Sequence, residues 1–240
     1  MHITFMINYF KTVLEVESME IKVSSAICDL LPGFSVGVIE YKNIQVGDSP
    51  QMLKGRLQLF QESIYFDLLE KNVTDLDGIK EWRSIFKSTG KDPNRYRHSA
   101  EALYRRIAKQ NYLQPVHSAI DLNNFFSLEY QVPIGIYDSD KFSGIVHVRI
   151  GAETEDYAGL NGRINNVSNL IVSADYQGPF GSPFVDSERT AVTLETTNAL
   201  QIVYLRPSDP QESKEKMTES LMNMFIQIHG GSGTYKIVGC

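Results

Sequence analysis

Three groups of side chains in this 240-residue sequence are spaced so that they could do chemistry. His117 and Asp121 stand four apart, on one helical face, where a carboxylate can orient an imidazole or both can hold a metal. No nucleophile or further ligand stands near them, so no metal is assigned. Asn123 and Asn124 are adjacent between Leu122 and Phe125. Asparagine competes for backbone hydrogen bonds and forms helices poorly, so the pair fits either a dedicated hydrogen-bonding task or a helix end. Arg95, Arg97, Arg105, Arg106 and Lys109 crowd one short stretch. On a helix that buries Leu103 and Ile107, the last three leave the apolar stripe and face solvent or a ligand.

The basic run is local. From Arg83 to Lys109 there are eight Lys or Arg against Asp92 and Glu101, a net of +6, so the remainder carries −12 of the chain's −6. An acidic body argues against loose nucleic-acid binding, and no DNA partner is expected. A basic segment on it can still meet a phosphate backbone, and a solvated helix face fits the same residues.

Other constellations are missing. There is no P-loop, dinucleotide fingerprint, Gly-x-Ser-x-Gly elbow or His-Glu-x-x-His pair, and no cofactor is implied. Glu153, Glu155 and Asp156 read as a solvated loop. His147 falls in a strand pattern, and His2, His98 and His229 near ends or caps. Cys28 and Cys240 make neither a disulfide framework nor a metal site, which points to a reducing cytoplasm.

The elements that must position these groups read as mixed α and β. Ser49-Pro50 opens a helix with Leu53, Leu57, Phe60, Ile64 and Leu68 on one stripe. A second runs from near Asp75, with Ile79, Trp82 and Phe86 on one face and Gly90 ending it; Trp82 reads as a packing residue. A turn at Asp92-Pro93 leads to a basic helix capped by His98 or Ser99. Pro115 suits the first turn of the helix that carries the asparagine pair, and a strand begins near Pro133. FSVGVIEY (34–41), GIVHVRI, NLIVSAD, TAVTLET, ALQIVYL and TYKIV read as strands. The segment 177–190, with two prolines and two glycines, reads as a connector that carries Ser187, Arg189 and Thr190. In the tail, 207–240, Ser208 and Gln211 have capping-box spacing ahead of a helix. Residues 1–30 fit either a leader or a strand; without a basic front or a cleavage site they do not read as a signal peptide. No run approaches the roughly 18 apolar residues that cross a membrane. One domain, 1–240, is the simplest organisation.

KDPNRYRHSAEALYRRI, LQPVHSAIDLNNFFSLEYQVPIGIYDSD, GRINNVSNLIVSAD and ERTAVTLETTNALQIVYL, taken in order, resemble the B3/B4 domain of the bacterial phenylalanyl-tRNA synthetase β subunit. They resemble still more the stand-alone proteins that consist of that domain. The resemblance covers roughly 80–206, with Phe34–Tyr41 at the start of the same unit. It implies an α+β fold, packed mixed β-sheets flanked by helices, with the 208–229 helix closing an edge or the bottom. In the synthetase this domain hydrolyses tyrosine wrongly attached to phenylalanine tRNA, in a pocket between its two halves. That pocket has a Thr-Asn pair, a histidine shortly after a proline, and a glutamate ending a later strand. Here Asn123-Asn124, Gly135 and Ile202 stand at those positions, so only Asn124 matches.

The resemblance therefore implies a cytoplasmic, tRNA-associated module that binds RNA through Arg95, Arg97, Arg105, Arg106 and Lys109. Trans-editing hydrolysis of a mischarged aminoacyl-tRNA is the activity it implies, and aminoacylation by this chain alone is not expected. Asn123, Asn124, Gly135, Arg189, Thr190 and Thr193 are the candidates to hold the aminoacyl group, with no catalytic side chain assigned. A small-molecule or amino-acid binding protein that keeps the fold is the alternative.

Overall fold

The computed structural model describes residues 19–240. The leader-or-strand and signal-peptide expectations therefore fall largely on residues outside the described ones. Of the first thirty residues, the structure describes β1 (Ile21–Val23) and α1 (Ser25–Leu30).

Two four-stranded sheets form the body. The first joins β2 (Ser35–Lys42), β3 (Ile134–Asp138), β9 (Ala199–Tyr204) and β10 (Ser232–Gly239) in the antiparallel order β10-β2-β9-β3. The second, ordered β1-β4-β7-β8, adds β4 (Val146–Ile150), β7 (Ile171–Asp175) and β8 (Gly178–Gly181), with β1 parallel to β4. A separate ribbon pairs β5 (Asp156–Gly159) with β6 (Arg163–Asn166).

Strand alternation decides which core each residue enters. On β2, Val36 and Val38 face the second sheet while Ile39 and Tyr41 face the helices. On β9, Leu200, Ile202 and Tyr204 go to the sheet–sheet core, and Ala199 and Val203 to the helical one. The helical layer holds α2 (Gln51–Asp67), α4 (Ser99–Ile107), α5 (Ser118–Tyr130) and α6 (Gln211–His229). Between the two cores lies α3 (Asp77–Ser88), which sends Ile79 into one and Trp82, Ile85 and Phe86 into the other. Trp82 is fully buried, edge-on to Phe86 and Tyr204. Gly90, at φ +86°, turns the chain after α3 in a conformation that other residues resist.

Several expectations are corrected. TAVTLET is not a strand, because threonine hydroxyls take over its backbone bonds: Thr196 Oγ1 accepts from Thr193 N at 3.0 Å and donates to Asp138 at 2.8 Å. The 177–190 connector contains β8 and a short 3-10 turn, Glu188–Thr190. Pro115 lies ahead of α5, whose N-cap is His117. The cap of α6 is Pro210 with no side-chain bond, and Ser208 instead donates to Glu81 at 2.6 Å. The 208–229 helix, α6, packs on the edge strand β10 and its neighbour β2, and enters the helical core through Met217, Leu221 and Phe225.

Cys28 and Cys240 are joined in a disulfide, Cα atoms 5.3 Å apart, despite a sequence separation of 212. Residues so far apart in sequence meet because Gly239 pairs with Ser35, which brings the end of β10 beside α1, just upstream of β2. Among the described residues, no helix is long and apolar enough to cross a membrane.

Candidate functional site

The basic stretch is folded by its own side chains. The Asp92 carbonyl accepts from the N–H groups of Arg95 and Tyr96, and its carboxylate accepts from Asn94 N at 2.9 Å, which makes the turn. His98 then caps α4, its ring nitrogen accepting from Glu101 N at 3.3 Å. Burial drives the His98 pKa down to about 3, so the ring is neutral and free to accept. Ser99 N donates to the Pro183 carbonyl at 2.7 Å and ties the start of α4 to the loop 182–187.

That tie builds an open cleft of about 610 Å³. Arg95, Arg97, Arg105, Arg106 and Lys109 all line it, with Arg163 joining from β6. Asn161, Phe184 and Val185 form part of the facing wall. Of the six cations, Arg105 is partly spent on buried Glu101, which accepts from it at 2.8 Å. Among the described residues, Arg95, Arg97, Arg106, Lys109 and Arg163 have no carboxylate partner. Arg83, counted in the same basic run, points elsewhere: it binds Glu101 at 2.9 Å, Pro93 O and Asn94. Phe184 meets Tyr96 edge-on at 5.6 Å, and the Lys91 ammonium sits 4.3 Å from the Tyr96 ring centre. Arg163 and Phe184 escaped the sequence reading because the ribbon and the 182–187 turn meet α4 only in three dimensions.

The six aminoacyl candidates lie on α5, on β3 and in the segment after β8. Asn123 faces the helical core, where it donates to Ile134 O at 2.8 Å and accepts from Gln201 Nε2 at 2.8 Å. Gln201 in turn accepts from Tyr41. Both polar atoms of Asn123 are thus engaged inside the fold. Asn124 is half-buried, on the next position of α5. Arg189 clamps Asp175 with two bonds, 3.0 and 2.9 Å, and holds the 177–190 segment in place. Thr190 is fully buried with its hydroxyl unpartnered among the described residues. Thr193 is exposed and accepts from Glu195 N in a surface turn.

Gly135 lies between the sheets, and a side chain there would run into the Tyr137 hydroxyl. Gly181 meets the same hydroxyl from the opposite sheet. Held between two glycines, Tyr137 donates to Asp186 at 2.7 Å. Close by, Tyr157 donates to Ser182, and Ser173 shares a hydrogen bond with Tyr204. Burial raises the Asp186 pKa to about 7, against the pull of its bonds from Tyr137 and the Ser182 backbone. Tyr137 thus takes the space beside Gly135 and Gly181, and it joins a small polar group set in a mainly apolar sheet–sheet core.

His117 and Asp121 have separate tasks. His117 caps α5, while Asp121 accepts from Ser49 at 2.5 Å and Val116 N at 3.0 Å. Among the described residues, no group of three or more His, Cys, Asp or Glu could hold a metal.

The family description "B3/4 domain" matches residues 81–223, which takes in α4, α5 and both walls of the cleft. The chain belongs to the B3/4 domain family. The chain is similar to "Uncharacterized protein YhzB" of Bacillus subtilis, 35% identical over 216 residues, which covers 90% of this chain and 98% of that one. Similarity extends to the phenylalanine–tRNA ligase beta subunit of Paramagnetospirillum magneticum, 31% identical over 98 residues. The match covers 40% of this chain and 12% of the ligase subunit, so this B3/4 chain corresponds to a small part of that protein. Among solved structures, it is similar to an N-terminal fragment of the phenylalanyl-tRNA synthetase beta subunit from Pyrococcus horikoshii. The TM-score is 0.45 at 15% identity, over 92% of this chain and 54% of that one.

Proposed function

We propose that this B3/4 chain is a tRNA-associated module that holds RNA phosphates in the cleft between α4 and the 182–187 loop. One observation carries the reading: six cations from three separate segments line a single open cleft on a chain of net charge −6. Charge concentrated in that way favours a polyanion at one place and resists adsorption elsewhere. Phe184 adds a ring on which a base could stack.

Tyr137 beside Gly135 supports binding in preference to hydrolysis at that place. Editing at that place would need room for an aminoacyl group, and Tyr137 takes the space beside Gly135. A cytoplasmic site of action goes with a tRNA partner; the Cys28–Cys240 bridge is the observation that weighs against it.

The test is tRNA binding across a salt series, with deacylation of a mischarged tRNA panel recorded alongside. Arg106→Ala and Arg163→Ala should each weaken binding and shallow the salt slope by about one. Binding unchanged by both variants would remove the cleft from the reading. Hydrolysis of one aminoacyl ester would make the chain a trans-editing enzyme. Thermal stabilisation by a free amino acid, with no response to RNA, would favour the small-molecule alternative.

A further inference from the structure

We propose that the cleft beside α4 seats a terminal phosphomonoester of the RNA, the 5′-phosphate of a tRNA, rather than a run of internal phosphodiesters. The inference rests on the RNA reading of that cleft and names the group that the cleft selects. Its cations reach one place from three directions. Arg95 and Arg97 come from the turn before α4, Arg105, Arg106 and Lys109 from α4 and its end, and Arg163 from β6. Among the described residues, no carboxylate lines the cleft.

The amount of charge separates the two kinds of phosphate. A cleft of about 610 Å³, equal to a cube about 8.5 Å on a side, admits about two or three internal phosphates of one strand, spaced about 3.4 Å along its axis. Each brings a single charge, and Arg95, Arg97, Arg106, Lys109 and Arg163 together exceed that sum. A terminal phosphate carries a charge of about −1.5 to −2 on three acceptor oxygens. An internal phosphodiester has only two free oxygens and a chain that leaves on both sides. Guanidinium groups that arrive from separate segments match the terminal group, since each can take a different pair of its oxygens.

The fold holds these cations ready. Asn161 Oδ1 accepts from Arg163 N at 3.2 Å, and Asn165 Nδ2 donates to the Arg163 carbonyl at 2.7 Å, which fixes the Arg163 backbone at the cleft. Buried Glu101 takes Arg105 through Nε at 2.8 Å. The two terminal nitrogens of that guanidinium have no partner among the described residues. An arginine anchored in this way loses less side-chain freedom when it meets a phosphate. Phe184, on the facing wall, offers its ring to the first base.

Fluorescence anisotropy tests it with one RNA made in three forms: with a 5′-phosphate, with a 3′-phosphate, and with hydroxyls at both ends. A fourth RNA, one nucleotide longer and hydroxyl-ended, controls for total charge. The 5′-phosphorylated RNA should bind about tenfold tighter than its hydroxyl-ended form, the worth of a hydrogen bond to a charged group. The longer RNA should gain nothing. Arg163→Gln should reduce the preference for the 5′-phosphate several-fold, and a circular dichroism spectrum checks that this exposed substitution leaves the fold unchanged.

Equal binding of all four RNAs overturns the inference and leaves the cleft as an RNA site. A gain from the longer RNA as large as that from the 5′-phosphate overturns it too, since charge alone would account for both. A 3′-phosphate that binds as tightly as the 5′-phosphate overturns the assignment to the 5′ end. Binding of none of the RNAs would overturn the inference together with the RNA reading.

Discussion

The Tyr137 hydroxyl lies directly over the α-carbon of Gly135, so that no side chain fits at Gly135 while Tyr137 keeps its place. Both residues project from β3 toward the second sheet, and Gly181 bounds the hydroxyl from the other side. Gly135→Ala should therefore lower stability by about 1–3 kcal/mol, the range for overpacking a filled core. In a Tyr137→Ala background the same change should cost much less, because the obstacle is gone. A double-mutant cycle from urea denaturation measures this, and additive effects would mean that Tyr137 is not what excludes the side chain.

Arg83 and Arg106 belong to one basic run in the sequence and do different work in the fold. Arg83 neutralises Glu101, whose side chain is fully buried, while Arg106 lines the cleft without a carboxylate partner among the described residues. Removing one partner of a buried ion pair leaves a charge without compensation. Arg83→Met should thus cost about 3 kcal/mol, the low end of that class because Arg105 remains on Glu101. Arg106→Ala should change stability by less than about 0.5 kcal/mol, as exposed substitutions do. Equal losses in denaturant titrations would erase the distinction between the two arginines.

Much of the helical layer is legible in the sequence, because each helix has one apolar stripe and a local start or stop: Leu53, Leu57 and Ile64, or Trp82 and Phe86 ahead of Gly90. The five cleft cations from Arg95 to Lys109 are legible for the same reason, since one turn and one helix carry them all. What is not legible depends on contacts between distant segments. Arg163 comes to the cleft on a ribbon, and Phe184 on a turn fixed by the Ser99–Pro183 bond. TAVTLET has β-branched composition, yet its threonine hydroxyls satisfy local backbone groups, so composition misleads there. The asparagine pair does signal a hydrogen-bonding task, but only the fold shows that Asn123 spends it on Gln201 and Ile134.

The Cys28–Cys240 bridge closes a loop that spans most of the chain. A cross-link of this kind raises stability mainly by restricting the unfolded chain. Reduction should lower stability by about 2–4 kcal/mol and leave the native fold in place. Circular dichroism with and without reductant, followed by urea titration of both forms, checks it. Equal midpoints would mean that the bridge does not constrain the unfolded state.

Asp186 and His98 pull stability in opposite directions with pH. Native Asp186 titrates near 7, while in the unfolded chain an aspartate titrates at about 3.9. Between about pH 4 and 7 the native state therefore holds the extra proton, and stability falls as pH rises. His98 is the reverse. It stays neutral in the fold down to about 3, whereas unfolded histidine takes up its proton below about 6.5. In that window the unfolded state holds the extra proton, and stability rises with pH. Each contribution approaches at most about 1.4 kcal/mol per pH unit, so the two largely offset in the wild type. Asp186→Asn removes one of them. The variant should gain stability with rising pH more steeply than the wild type, by up to about 1.4 kcal/mol per unit between about pH 4 and 6.5. Above about pH 8 both groups have titrated in both states, and the two curves should run parallel. Urea midpoints measured at several pH values decide it, and curves parallel through the acid range would show that Asp186 ionises normally despite its burial beside Tyr137.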